Sequence, residues 1–199
     1  MIQIVKPYTL MFDEEPHEYW LNGFRVPSVT QVLAARKLYK GDEWWKEEHR
    51  VRGIAVHVAT QLEDEDDLDE TTLAPELAGY LDAWRKFKAE RRYAIELIEE
   101  RLASVSLGYA GTIDRWGRLD GKTALVDIKT GGWQAAYALQ IAAYRAMLAE
   151  HGVMSEIAVC VTLQADGSYH LRHLNTIDLY RAEALWRNAL ALTQWHLAA

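Results

Sequence analysis

Three charged residues stand out against apolar neighbours. Asp127 and Lys129 sit in Ala124-Leu125-Val126-Asp127-Ile128-Lys129-Thr130, and Asp114 closes Gly111-Thr112-Ile113-Asp114. Side chains of an extended strand alternate between faces, so Asp127 and Lys129 share one face while Val126 and Ile128 take the other. Between the two segments lies Asp120-Gly121, a pair suited to a two-residue hairpin turn because both of its positions need positive φ. Pairing about that turn sets Asp114 level with Asp127. An isolated Asp-x-Lys is most often a weak surface ion pair. Two acids and an ammonium on one face can do more. The carboxylates offer oxygen ligands to a hard divalent cation such as Mg²⁺, which polarises a phosphoryl oxygen and lowers the pKa of a bound water. The lysine can orient that water or neutralise charge developing on a phosphate, and its charge eases the burial of the acids. The Ile128 carbonyl between them is a further oxygen donor.

The surrounding pattern supplies elements able to hold such a group. Residues 17–27 predict two short strands joined through Asn22-Gly23. Ser28 then caps a helix reaching about Tyr39, with Gln31 completing a capping box. A second short helix is expected around Asp42 to Arg50, carrying Trp44 and Trp45, and a third from Val51 to Leu62. Pro75 opens a fourth helix running to about Arg92. The period then changes to that of strands: Ile95 to Ile98, Gly108 to Leu119 and Lys122 to Lys129. Residues 134–150 predict a crossover helix. Strands near Glu156 to Leu163 and Ser168 to Leu174 and a last helix from about Thr176 to His196 complete the chain. A hairpin joins antiparallel strands and a helical crossover joins parallel ones, so the expected fold is α/β, with a central mixed sheet flanked by helices.

Composition bounds the rest. The chain has 199 residues, half of them apolar and 11% aromatic, which suits one domain over 1–199 and excludes a disordered chain. Residues 1–50 form its N-terminal hairpin and helices, and 51–199 its core. No apolar run approaches the roughly 18 to 20 residues of a membrane span, and the first residues do not read as a signal peptide. The single cysteine, Cys160, excludes an internal disulfide and a multi-cysteine metal site, reads as a buried thiol, and fits a reducing cytoplasm. Net charge is −7, but residues 63–70 hold seven acids and no base, so the remainder is neutral. That run is expected to be a solvated acidic loop. Charge thus neither favours nor excludes a nucleic-acid partner.

Further residues extend the pattern. His57 lies on a helix of small and apolar residues, and Gln140 and Tyr144, at i and i+4, share a helix face. The order His57, Gly111-Thr112-Ile113-Asp114, Asp127-Ile128-Lys129-Thr130, Gln140-Ile141-Ala142-Ala143-Tyr144 resembles the RecB-like branch of the PD-(D/E)XK nucleases over about residues 50–150. Pro27-Ser28-Val29-Thr30 is similar to the opening of small phage-type members. The resemblance implies a restriction-endonuclease-like core and a Mg²⁺- or Mn²⁺-dependent deoxyribonuclease, an exonuclease acting in DNA recombination, repair or phage DNA processing. It implies His57, Asp114 and Asp127 as metal ligands with the Ile128 carbonyl, and Lys129 as the catalytic lysine. Thr130, Gln140 and Tyr144 would position substrate. DNA, single-stranded or at duplex ends, is the implied partner, with a recombination protein as a further one and no membrane. The chain departs from relatives that carry a four-cysteine iron–sulfur cluster, and it lacks the family's proline before Asp114. One of Glu96, Glu99 and Glu100 is a further acid available to the site, and Trp116 and Trp133 are available for stacking on bases or for the core. The alternative in another class is a non-catalytic nucleic-acid-binding or assembly protein on the same fold.

Overall fold

The computed structural model describes residues 2–39 and 47–198. Three strands, β1 (Leu10–Asp13), β2 (Glu18–Leu21) and β3 (Phe24–Val26), form a small antiparallel sheet. Asn22 and Gly23 both take positive φ, as the β2–β3 turn requires. Helix α1 (Val29–Ala35) follows, its capping box complete: Ser28 Oγ accepts from the Gln31 N–H, and Gln31 Oε1 accepts from the Ser28 N–H. Helix α2 (Glu47–Asp64) and helix α3 (Ala78–Glu90) lead into a long antiparallel meander of β4 (Ala94–Ser104), β5 (Tyr109–Leu119) and β6 (Lys122–Lys129). Helix α4 (Ala135–Glu150) crosses over to β7 (Ile157–Leu163), which pairs parallel with β6. An antiparallel β8 (Tyr169–Leu174) ends the sheet, and α5 (Thr176–Ala198) follows.

The second sheet has the order β4-β5-β6-β7-β8, and each of its faces carries its own core. On one face α1, α4 and α5 pack around Tyr109, Trp116, Leu125, Met147 and Trp186. On the other, α2 and α3 close over Val126, Ile128, Val159 and Val161 with Val56, Trp84 and Phe87. The alternation along β6 divides its side chains between these two cores. This is the α/β class expected, with a mixed sheet between helices and an N-terminal hairpin.

Three expectations need correction. The N-terminal sheet has a third strand, β1, whose residues Leu-Met-Phe-Asp show no clear alternation. Helix α2 is continuous from Glu47, so no break falls at Arg50, and it runs on to Asp64; Trp44, Trp45 and the start of the expected second helix lie outside the described residues. The acidic run is not simply a solvated loop, because its first two members end α2. Glu63 pairs with Arg85, while the Asp64 carboxylate, 1% exposed, accepts from Trp84 Nε1 and pairs with Lys88 and Arg115. Tertiary pairing, which linear charge counting does not see, decides the fate of those two acids. Cys160 is buried as expected, and burial, with Asp127 adding to it, pushes its thiol up to about 12.

Candidate metal centre

The turn at Asp120-Gly121 takes positive φ at both residues and sets the β5–β6 register: Leu119 opposes Lys122 and Arg115 opposes Val126. One step beyond that last pair, Asp114 and Asp127 come together where the ladder ends. There Asp114 Oδ2 accepts the Ile128 backbone N–H at 2.7 Å. Asp127 is fully buried, and Lys129 Nζ stands 2.7 Å from its Oδ2 and 4.0 Å from Asp114 Oδ2. The contact with Asp127 Oδ2 is a short buried ion pair, and Oδ1 has no hydrogen-bond partner among the described residues. Burial raises the Asp127 pKa, with Lys129 acting against it. Burial disfavours the Lys129 ammonium, but Asp127 and Asp114 outweigh that and hold its pKa above the usual lysine value.

Helix α2 brings His57 over the end of β6. Its Nε2 lies 3.1 Å from the Ile128 carbonyl, and its Nδ1 lies 3.2 Å from Glu99 Oε1 and 3.8 Å from Asp114 Oδ1. Burial works against an imidazolium here, yet Asp114 and Glu99 prevail and raise the pKa from 6.5 to about 9. Without an ion, His57 is therefore charged at neutral pH and donates from both nitrogens. The Ile128 carbonyl also accepts from Lys129 Nζ at 3.1 Å, so it faces the same group.

Glu99 resolves the choice among the three acids of β4. Glu96 pairs with Arg118 and Glu100 with Lys6, both away from the centre. Glu99 alone turns inward, and it does so with φ +43°, a left-handed conformation that a non-glycine residue adopts only when its surroundings enforce it. Arg115, wholly buried, holds the Glu99 carboxylate there. Its Nη1 donates to Glu99 Oε1 at 2.8 Å and to the Asp114 carbonyl at 2.7 Å, and its Nε donates to Asp64 Oδ2 at 2.7 Å. The C-terminal end of α2 is thereby tied to β4 and β5 behind the site.

One donor atom each from His57, Glu99 and Asp114 lies within 4.8 Å of the others. An ion with bonds of roughly 2.1 Å in octahedral geometry holds adjacent donors about 3 Å apart, so ligation would draw these three side chains closer together. Two carboxylates and an imidazole form a donor set for a hard or borderline divalent ion. Asp127 lies outside this group of three; its Oδ2 is ion-paired with Lys129, and its Oδ1 is a further acceptor beside them. About a quarter of the His57 side chain and a fifth of that of Glu99 are exposed, leaving the centre open to solvent. These residues fit a metal.

The remaining expected residues surround this group. On α4, Gln140 Nε2 donates to the Tyr144 hydroxyl at 3.2 Å, and both side chains are buried. A Cβ at Gly111 would lie 2.7 Å from the Tyr144 ring, so glycine is what lets α4 approach β5 next to Asp114. Burial, then the Asp114 charge, keeps the Tyr144 phenol protonated. Thr130, partly buried, lies beside Gly53 of α2 at the end of β6. Trp116 belongs to the core, its Nε1 donating to Ser155 Oγ, and is not available to a base. Two residues that the sequence did not single out also border the centre. Tyr137 lies with its ring 5.2 Å from Lys129 Nζ, and burial pushes the Tyr39 phenol up to about 12, with Lys129 and Asp127 acting on it. A tyrosine in a helix and another four residues beyond one carry no signal that would set them apart.

No protein-family model matches the chain, and no curated protein matches it. Among solved structures, an Eubacterium rectale protein described as a candidate exonuclease is similar with a TM-score of 0.48 at 9% identity, over 79% of this chain and 69% of that one. The protein SSO0001 is similar with a TM-score of 0.33 at 15% identity, over 82% of this chain and 84% of its own. Neither likeness is close enough to carry a function to this chain. What fold and site define is a mixed α/β domain with a candidate metal centre at the end of its central hairpin.

Proposed function

We propose that this protein is a divalent-metal-dependent deoxyribonuclease of the PD-(D/E)XK type, similar to the RecB-like branch, and that it acts as an exonuclease. The observation that carries the reading is the meeting of His57, Glu99 and Asp114 donor atoms beside a buried Asp127–Lys129 pair. His57, Glu99, Asp114 and Asp127, with the Ile128 carbonyl, would hold Mg²⁺ or Mn²⁺. When bound, such an ion supplies Lewis-acid stabilisation of a phosphoryl oxygen and lowers the pKa of water.

The chain's own groups have distinct tasks in this reading. Lys129 keeps its proton and presents a fixed positive charge to the phosphate on which negative charge grows. Arg115 holds the Glu99 carboxylate in place. Gln140 and Tyr144, neutral and hydrogen-bonded to each other, give the α4 wall a donor face that does not repel a phosphodiester, and Thr130 lines the approach from α2. DNA is the substrate, and recombination, repair or phage DNA processing is the setting.

The test uses end-labelled single-stranded, blunt duplex and circular DNA with Mg²⁺, Mn²⁺ or EDTA. Wild type should shorten linear DNA only with metal and leave circles intact. Lys129→Ala should fall by roughly 10²- to 10³-fold, with folding checked by circular dichroism because Asp127 loses its counter-charge. Cutting of circles would replace the exonuclease reading with an endonuclease. Folded wild type that cuts no DNA with either metal would overturn the nuclease reading.

A further inference from the structure

Beside the candidate centre, α4, β8 and α5 enclose a cleft of about 260 Å³, lined by Trp133, Leu139, Arg172, Leu174, Arg181 and Leu185 among others. Its walls are apolar, yet it holds two exposed guanidinium groups that make no ion pair among the described residues. Arg172 lies over the Trp133 ring at 4.3 Å. Asp178, the acid on its rim, is engaged by the Asn175 side chain at 2.8 Å. Unpaired cations over an aromatic and aliphatic floor suit a ligand that is both anionic and flat. The volume is near the lower bound of about 300 Å³ for ligand pockets, room for a nucleobase and too little for a duplex.

The cleft also connects to the catalytic group. The Trp133 ring packs edge-on against Tyr137 at 5.8 Å, and Tyr137 in turn faces Lys129 Nζ at 5.2 Å. A strand whose phosphate sits at the centre would therefore reach the cleft within a few nucleotides.

We infer that this cleft is a subsite for single-stranded DNA, seating one unpaired nucleotide of the strand that enters the centre. Its base packs against Arg172 and the leucine walls, and its phosphate lies between Arg172 and Arg181. This inference rests on the nuclease reading for its choice of ligand but not for its test.

The test is binding of a labelled oligothymidylate in EDTA, followed by fluorescence anisotropy across a salt series, with an abasic oligonucleotide of equal length alongside. Both arginines are exposed, so Arg172→Ala/Arg181→Ala should fold as wild type. The double variant should bind about tenfold more weakly or worse. Its plot of log affinity against log salt should be shallower by about 0.7, because the one phosphate neutralised on a single strand contributes roughly that much to the slope. Trp133→Ala, checked for folding, removes the ring on which Arg172 rests and should lose the wild-type preference for the base-bearing oligonucleotide. If the double variant binds like wild type with an unchanged slope, or wild type does not bind the oligonucleotide, the subsite is refuted. Binding that follows these expectations without cleavage in Mg²⁺ or Mn²⁺ would support the subsite and sink the nuclease reading. Cleavage with unchanged binding would do the reverse.

Discussion

At the scale of single residues, the charge state of His57 is the most informative property of the centre. Three acids, Glu99, Asp114 and Asp127, share a small volume with Lys129 and Arg115, and in the absence of an ion His57 supplies a further positive charge. Its pKa is raised to about 9 in the folded protein against 6.5 when unperturbed. Folding therefore takes up a proton between those values. The stabilisation is fully present below pH 6.5 and is lost as pH rises through 9. A quarter of the side chain is exposed, so solvent screening discounts the effect to on the order of 1–2 kcal/mol. In EDTA, the thermal stability of wild type relative to His57→Gln should be greatest near pH 6 and should vanish by about pH 9.5. An advantage that does not change with pH would mean that His57 is neutral. The same proton must leave before the imidazole can ligate a metal, so apparent Mn²⁺ affinity should rise with pH over that range.

The elements act by delivering side chains from separate parts of the chain to one point. The β5–β6 hairpin brings Asp114 to Asp127, α2 brings His57, β4 brings Glu99 and α4 brings Tyr144. How much of this was legible depends on whether the determinant is local. Asp114, Asp127 and Lys129 could be read because a two-residue turn and strict alternation fix their geometry over 16 residues. His57, on a helix, pointed to the site only through resemblance. Glu99 could not be separated from Glu96 and Glu100, since the register of β4 shifts between Ile95 and Leu97 and Glu99 takes a left-handed backbone conformation, neither of which strand alternation encodes. Arg115 and Asp64 were hidden for a related reason. They meet only after α2 packs on the sheet, and Asp64 had been grouped with its acidic neighbours. That pair carries an expectation of its own: Arg115→Met would leave Asp64 with Lys88 and Glu99 with His57 as their remaining cations, at a cost of up to about 3–5 kcal/mol. Urea denaturation would measure it, and a loss below about 1 kcal/mol would show that Arg115 does not brace the site.

At the scale of the whole molecule, the sheet separates two cores and the candidate centre lies where they meet at the end of β6. The core of α1, α4 and α5 supplies the tyrosines and the cleft, and that of α2 and α3 supplies His57 and the Arg115 brace. Within a net charge of −7, Glu63, Asp64 and Glu70 are paired with cations of the protein itself. No helix among the described residues is long and apolar enough to cross a membrane.

The central claim is that one cluster both binds a divalent ion and cuts DNA. It is tested most directly by measuring Mn²⁺ binding and DNA cleavage on the same samples of wild type and Asp114→Asn. Asparagine can still accept the Ile128 N–H, so the variant should fold. The expected result is that wild type binds Mn²⁺ and cleaves, and that Asp114→Asn loses both together while remaining folded in EDTA. A folded wild type that binds no Mn²⁺, or an Asp114→Asn protein that cleaves as wild type does, would contradict the account.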